Sequence, residues 1–240
     1  MRALRIGLIL LVILGGLAVA ADRLAVRFAE GEVASKAHSG LDLHAEPGVS
    51  IKGFPFLTQV VGKELERVDL DLNGFEVEID GEQATLDGLD VELYDVRLEN
   101  NYSDAVATRA TGSGLMSYAE LSALAGTEGG FGLQFGPGEG NQVEIRITVL
   151  DRAVGPALTS DIAVDGNIVQ MQVGDIPSLE ELPVLGSIPG IESTLRERID
   201  RERELAGLPS GLALSEARAT DDGLELTVEG TDVRLTGNLG

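Results

Sequence analysis

The spacing of apolar positions changes several times along the chain, and each change marks an element. Residues Ile6 to Ala21 are Ile, Leu, Val, Ala and Gly alone, with Arg2 and Arg5 ahead of them. From Asp22 to Ser39, Ala25, Phe28, Ala29, Val33 and Ala37 recur at helical spacing, and Gly40 supplies a stop. Leu41 to Gly53 reads as a short strand, with Val49 and Ile51 alternating against polar neighbours. Pro55 interrupts the apolar run between Gly53 and Gly62, so that run is expected to be an apolar loop or edge segment. Beyond Glu64 the period is two. Val68, Leu70 and Leu72 alternate with Asp69 and Asp71, and the phase resets at Asn73-Gly74, where either a tight turn or a bulge fits. Phe75, Val77 and Ile79 then alternate with Glu76, Glu78 and Asp80, and Leu86, Leu89, Val91, Leu93, Val96 and Leu98 continue the series. Apolar residues interleaved with acids predict antiparallel strands with one dry and one wet face.

Ser117 to Ala125 predicts a short helix, with Ser117 and Glu120 spaced as a capping box. Strands follow over residues 131–135, 143–150, 157–164 and 167–173, separated by Gly136-Pro137-Gly138 and Asp165-Gly166-Asn167. Ile176 to Pro189 holds three prolines and reads as a loop. A second helix is expected from Pro189 to about Ala206, with Ile191, Leu195 and Ile199 on its apolar stripe. Strands return over 212–217, 224–228 and 233–235. Leu224-Glu-Leu-Thr-Val-Glu-Gly-Thr-Asp-Val-Arg-Leu235 echoes Val91-Glu-Leu-Tyr-Asp-Val-Arg-Leu98, which fits either an internal repeat or one strand-and-bulge solution used twice. The sum is an α+β fold in which two thin helices cannot cover the dry face of about ten strands. The sheet is therefore expected to curl around a helix and enclose apolar space.

Composition and charge narrow the function. The basic, apolar and small-residue order of Arg2 to Ala20 is that of an export leader, with Ala18-Val19-Ala20 as a cleavage pattern. Sixteen helical residues span roughly 24 Å, short of the roughly 30 Å hydrocarbon core. Cleavage near Ala20 and retention of residues 6–21 as an anchor both fit, and both place residues 22–240 outside the cytoplasm, where they are expected to form a single lipid-binding α+β domain. The 40 acidic against 18 basic side chains, a net charge of −22, exclude nucleic acid as a partner. They also disfavour broad adhesion to anionic headgroups, so any lipid must be held mainly by its tails. With no cysteine, thiolate metal sites and disulfides are absent.

Catalytic patterns are thin. His38 and His44 are the two histidines, and neither sits in a zinc or nucleophile motif. No P-loop, nucleophile elbow or dinucleotide fingerprint occurs, so neither a cofactor nor a metal is expected. Two rival functions stay open: an envelope adaptor that binds a protein partner, and a hydrolase of envelope glycans working through two carboxylates.

The most informative segment is Lys52 to Arg67. An apolar run ringed by Lys52, Lys63 and Arg67 is what a membrane-touching loop needs. The competing reading is that its phenylalanines simply plug the core. The string Gly53-Phe54-Pro55-Phe56-Leu57-Thr58-Gln59, preceded by Val49 and Ile51, resembles the N-terminal signature of the LmeA-like phospholipid-binding family of actinobacterial envelope proteins. That resemblance implies a tubular, TULIP-like lipid-binding fold and a phospholipid or glycolipid as partner. On it, Ile51, Phe54, Pro55, Phe56, Leu57 and Val60 are taken as a lipid-contacting or gating segment. Lys52, Lys63 and Arg67 are the headgroup candidates, and Ile191, Leu195 and Ile199 form the cavity helix.

Overall fold

A computed structural model describes residues 2–40, 43, 45–79, 82–128, 131–150, 152–174, 203–206, 208 and 210–236. The chain is α+β with antiparallel sheet and divides into two compact units: residues 1–72, 90–110 and 231–240, and residues 73–89 and 111–230.

The first unit begins with one unbroken helix, α1 (Arg2–Gly40), 39 residues and about 58 Å long. The leader and the predicted Asp22–Ser39 helix are thus a single element, whose side chains from Leu4 to Ala21 are all exposed. It is long and apolar enough to cross a membrane, a test that a signal sequence also passes. Next come β1 (Gly48–Lys52), α2 (Phe56–Gly62) and β2 (Glu64–Leu72). The sheet of this unit runs β1, β2, then the later half of β4 (Glu82–Glu99), the first half of β5 (Asp104–Ser117) and the end of β14 (Gly223–Thr236). β1 is an edge strand in register with β2, Ile51 facing Val68 and Lys52 facing Arg67.

Two expectations fail here. The predicted α1 stripe is wrong, because Phe28 is 78% exposed and Val33 is exposed too, while Asp22, Val26 and Ala34 are buried. The burying face repeats every fourth residue and includes carboxylates, which a search for apolar periodicity passes over. The segment after Pro55 is a helix, not a loop. Proline fits the N-cap, where its missing N–H costs nothing and its extended backbone (φ −77°, ψ 139°) leads the chain in.

The second unit carries the larger core. Its β3 (Phe75–Ile79) forms a hairpin with the start of β4, so Asn73-Gly74 joins two strands that both pair with β4 rather than with each other. The order β13 (Leu212–Ala219), β14, β5, β4, β3, β12 (Arg203–Ala206), β11 (Ile168–Val173), β10 (Leu158–Asp165), β8 (Gln142–Val149), β7 (Phe131–Pro137), β6 (Thr127–Glu128) completes its sheet, with β9 (Arg152–Ala153) on β8. The short helix α3 (Tyr118–Ala125) packs on β7. Ser117 caps it as expected, accepting from the Glu120 N–H at 3.2 Å. The capping box is only half made, since the Glu120 carboxylate accepts from the Thr85 N–H instead.

The helix expected to reach Ala206 does not do so, because Arg203–Ala206 is a strand. It sits between β11 and β3, with Leu205 opposite Ile79 and Val169 opposite Arg203, and both neighbours satisfy its backbone. Residues 175–202, including Ile191, Leu195 and Ile199, lie outside the described residues. Within the echoed segments one residue pair shares a geometry. Asp95 (φ 49°) and Asp232 (φ 51°) are both left-handed residues inside strands that flank β5, and the valine after each is buried. A single residue in that conformation shifts the inside–outside phase as a bulge does.

Candidate functional site

The Gly53–Gln59 string is a compact device in the first unit, and each of its residues has an assignable task. Gly53 has φ +92°, and a Cβ there would lie 2.6 Å from both the Gln59 amide nitrogen and a Glu66 carboxylate oxygen. Only glycine fits. Gln59 spans the loop that Gly53 opens: its Nε2 donates to the Lys52 carbonyl (3.3 Å) and its Oε1 accepts from the Glu66 N–H (2.8 Å). Thr58 closes the first turn of α2 by donating to the Pro55 carbonyl at 2.7 Å. Phe56 turns inward and is 6% exposed, whereas Phe54 and Leu57 are 54% and 44% exposed and Val61 is 82% exposed. The two phenylalanines thus divide the rival readings: Phe56 plugs, Phe54 projects.

Two carboxylates of α1 hold this device in place, and sequence reasoning missed both. The Pro55 N-cap has no side-chain bond of its own. Asp22, 3% exposed, accepts instead from the Leu57 N–H at 2.8 Å, one of the orphan donors at the start of α2. Two turns further on, Glu30 accepts from the Ile51 N–H at 2.9 Å, satisfying the open edge of β1. A signal existed in the four-residue spacing of Asp22, Val26, Glu30 and Ala34.

The predicted cations do not act as a set. Lys52 sits 3.3 Å from Asp69, and Arg67 is committed to Asp69 at 2.8 Å and lies over the Tyr94 ring. Lys63 is the left-handed C-cap of α2, its ammonium over the Tyr102 ring. Ile51 is buried, Pro55 exposed and Val60 half-buried. Two open grooves meet at Phe54. One, of about 550 Å³, is lined by Gln59, Glu64, Leu65, Glu66, Asp95 and Arg97 among others. The other, of about 590 Å³, lies between α1 and β1.

In the second unit the described apolar space is small. A void of about 20 Å³ is lined only by apolar residues, among them Met116, Leu121, Val169, Met171 and Leu205. No group of three His, Asp or Glu side chains placed to hold a metal occurs among the described residues.

The motif and its mounting are what the family comparison covers. The sequence model of the LmeA-like phospholipid-binding family matches residues 20–229, most of the chain. The chain belongs to the LmeA-like phospholipid-binding family. The family is defined by binding, not by a reaction, and the match takes in Asp22, Glu30 and all of Gly53–Gln59. The α+β antiparallel fold agrees with it. None of the curated proteins and none of the solved structures matches the chain.

Proposed function

We propose that this LmeA-like chain works outside the cytoplasmic membrane, where it holds or shuttles a phospholipid or glycolipid for envelope maintenance. One observation carries the reading. The apolar run of α1 ends at Ala21, and the very next residue, Asp22, holds the N-terminus of α2. With residues 6–21 in the bilayer, α2 and the exposed Phe54, Leu57 and Val61 lie at the depth where the membrane surface begins. Aromatic and aliphatic side chains there gain from partial insertion, and the nearby arginines suit the headgroup layer.

On this reading the motif is the lipid entry segment. Phe54 and Leu57 touch the bilayer, and Phe56 anchors the segment to its own unit. Taken by itself, the second unit has at its small void Met116 and Met171, whose unbranched side chains can shift to admit an apolar chain. The tails, rather than broad attraction to anionic headgroups, supply most of the affinity.

Phe54→Asp with Leu57→Asp tests the entry segment. The fold should survive, since both side chains are exposed, while transfer of labelled phosphatidylglycerol from vesicles falls about tenfold or more, the order expected when two apolar contacts are lost. Unchanged transfer by a folded double variant would refute the entry role. Phe56→Asp is not an equivalent test, because it removes a buried anchor.

A further inference from the structure

The groove between α1 and β1 has a chemistry that the motif alone does not explain. Its walls are Arg23, Val26, Arg27 and Glu30 from α1, and Ser50 to Phe54 from β1 and the turn after it. Its floor is apolar, since Val26 and Ile51 are both buried. Arg23 and Arg27 stand one helical turn apart on the same side of α1. Both are exposed, and among the described residues neither has a carboxylate partner. In a chain with 40 acidic and 18 basic side chains, two neighbouring guanidiniums left without an acid are unexpected. The other charged groups of the groove are already engaged: Lys52 lies beside Asp69, and Glu30 accepts the Ile51 N–H. Arg23 is held in the groove by the Phe54 ring, 5.1 Å from its guanidinium carbon.

We infer that Arg23 and Arg27 form the headgroup site of this protein, gripping the phosphate of a phospholipid drawn from the outer leaflet. Planar guanidiniums present paired N–H donors that match phosphate oxygens, which an ammonium cannot do. Their position two and six residues past Ala21 sets them at the phosphate layer when α1 is inserted. The apolar floor takes the glycerol end of the lipid, and Phe54 stands at the join between headgroup and entry segment. This inference rests on the lipid-binding reading and names residues other than Lys52, Lys63 and Arg67 as the headgroup contacts.

The test uses the full chain in a neutral detergent, with dihexanoyl phosphatidylglycerol titrated and bound lipid counted by native mass spectrometry. One phosphatidylglycerol per chain is expected. Arg23→Gln with Arg27→Gln should weaken it by about tenfold or more, the order of a lost charge-assisted contact. Arg23→Lys with Arg27→Lys keeps the charge and should still lose most of the binding. Lysine variants that bind as the natural chain does would overturn the inference, because they would reduce the two arginines to general surface attraction. Inorganic phosphate alone should bind far more weakly than the lipid, and equal binding would assign the groove to the free ion instead. Long-chain lipid that co-purifies with the natural chain reports separately on the lipid-binding reading. If it is present while the arginine variants behave normally, only the headgroup site is wrong. If the natural chain neither carries nor takes up lipid, the lipid-binding reading itself fails.

Discussion

The two units divide charge and greasy surface very unequally. The first carries 11 basic and 15 acidic side chains, the second seven against 25. Among the described residues, every large exposed hydrophobic side chain except Leu150 belongs to the first unit. The second keeps its apolar residues in one contiguous cluster that includes Phe131, Met116, Ile145 and Ile147. The acidity that argued against adhesion to a membrane is therefore concentrated in the second unit. A nearly balanced unit that bears the membrane-length helix can meet a lipid surface, while a unit so acidic is repelled by anionic headgroups. Averaging charge over a sequence hides such a division.

The comparison breaks first at its phenylalanines. Phe131→Ala in the second unit should cost about 3–5 kcal/mol in denaturant unfolding, the usual cost of emptying a filled core site. Phe54→Ala in the first should stay within about 0.5 kcal/mol of the natural chain while reducing vesicle contact. Equal costs would mean that Phe54 belongs to a core and that the division is false. Next in size is Asp22→Ala, which strands the Leu57 N–H and should cost about 1–3 kcal/mol. Hydrogen exchange should speed up at the α2 amides, with those of β7 and β8 unaffected.

Tyr118 sharpens the contrast through pH. Burial, with Asp221 nearby, raises its pKa above the ordinary 10.0, and its hydroxyl donates to the Thr220 carbonyl at 2.8 Å. A folded pKa above the unfolded one means that the stabilisation is complete below about pH 10 and is lost as pH rises through the folded value. Tyr118→Phe should lower stability by about 1 kcal/mol at neutral pH and flatten the alkaline loss, read by thermal unfolding across pH. The smallest effect is a gain: Val169→Ile adds one methylene beside the 20 Å³ void and should stabilise by about 0.5–1 kcal/mol. If lipid tails enter there, the same change slows lipid uptake.

How much of this could be read in advance depended on where each residue's partner lies. The alternating strands were legible because acids and aliphatics mark the two faces of β3, β4 and β14 directly. The Gly53–Gln59 string was legible as a family mark, but its helix was not, since Pro55 reads as a breaker until its place at an N-cap is known. The four-residue spacing of Asp22 and Glu30 with Val26 and Ala34 marks a buried face, but their partners are backbone amides 35 and 21 residues away, which no local pattern names. Arg203–Ala206 has the run of charged and apolar residues that suits a helix, and only the slot between β11 and β3 makes it a strand. Arg23 and Arg27 lie far from the motif in sequence, and only the packing of α1 on β1 brings them beside it in space.

The most direct measurement is native mass spectrometry of the full chain purified from a membrane host in neutral detergent, followed by extraction and identification of whatever it carries. The natural chain should carry bound phospholipid or glycolipid, and Phe54→Asp with Leu57→Asp should carry less. A chain that arrives without lipid, and takes none from phosphatidylglycerol vesicles, would contradict it.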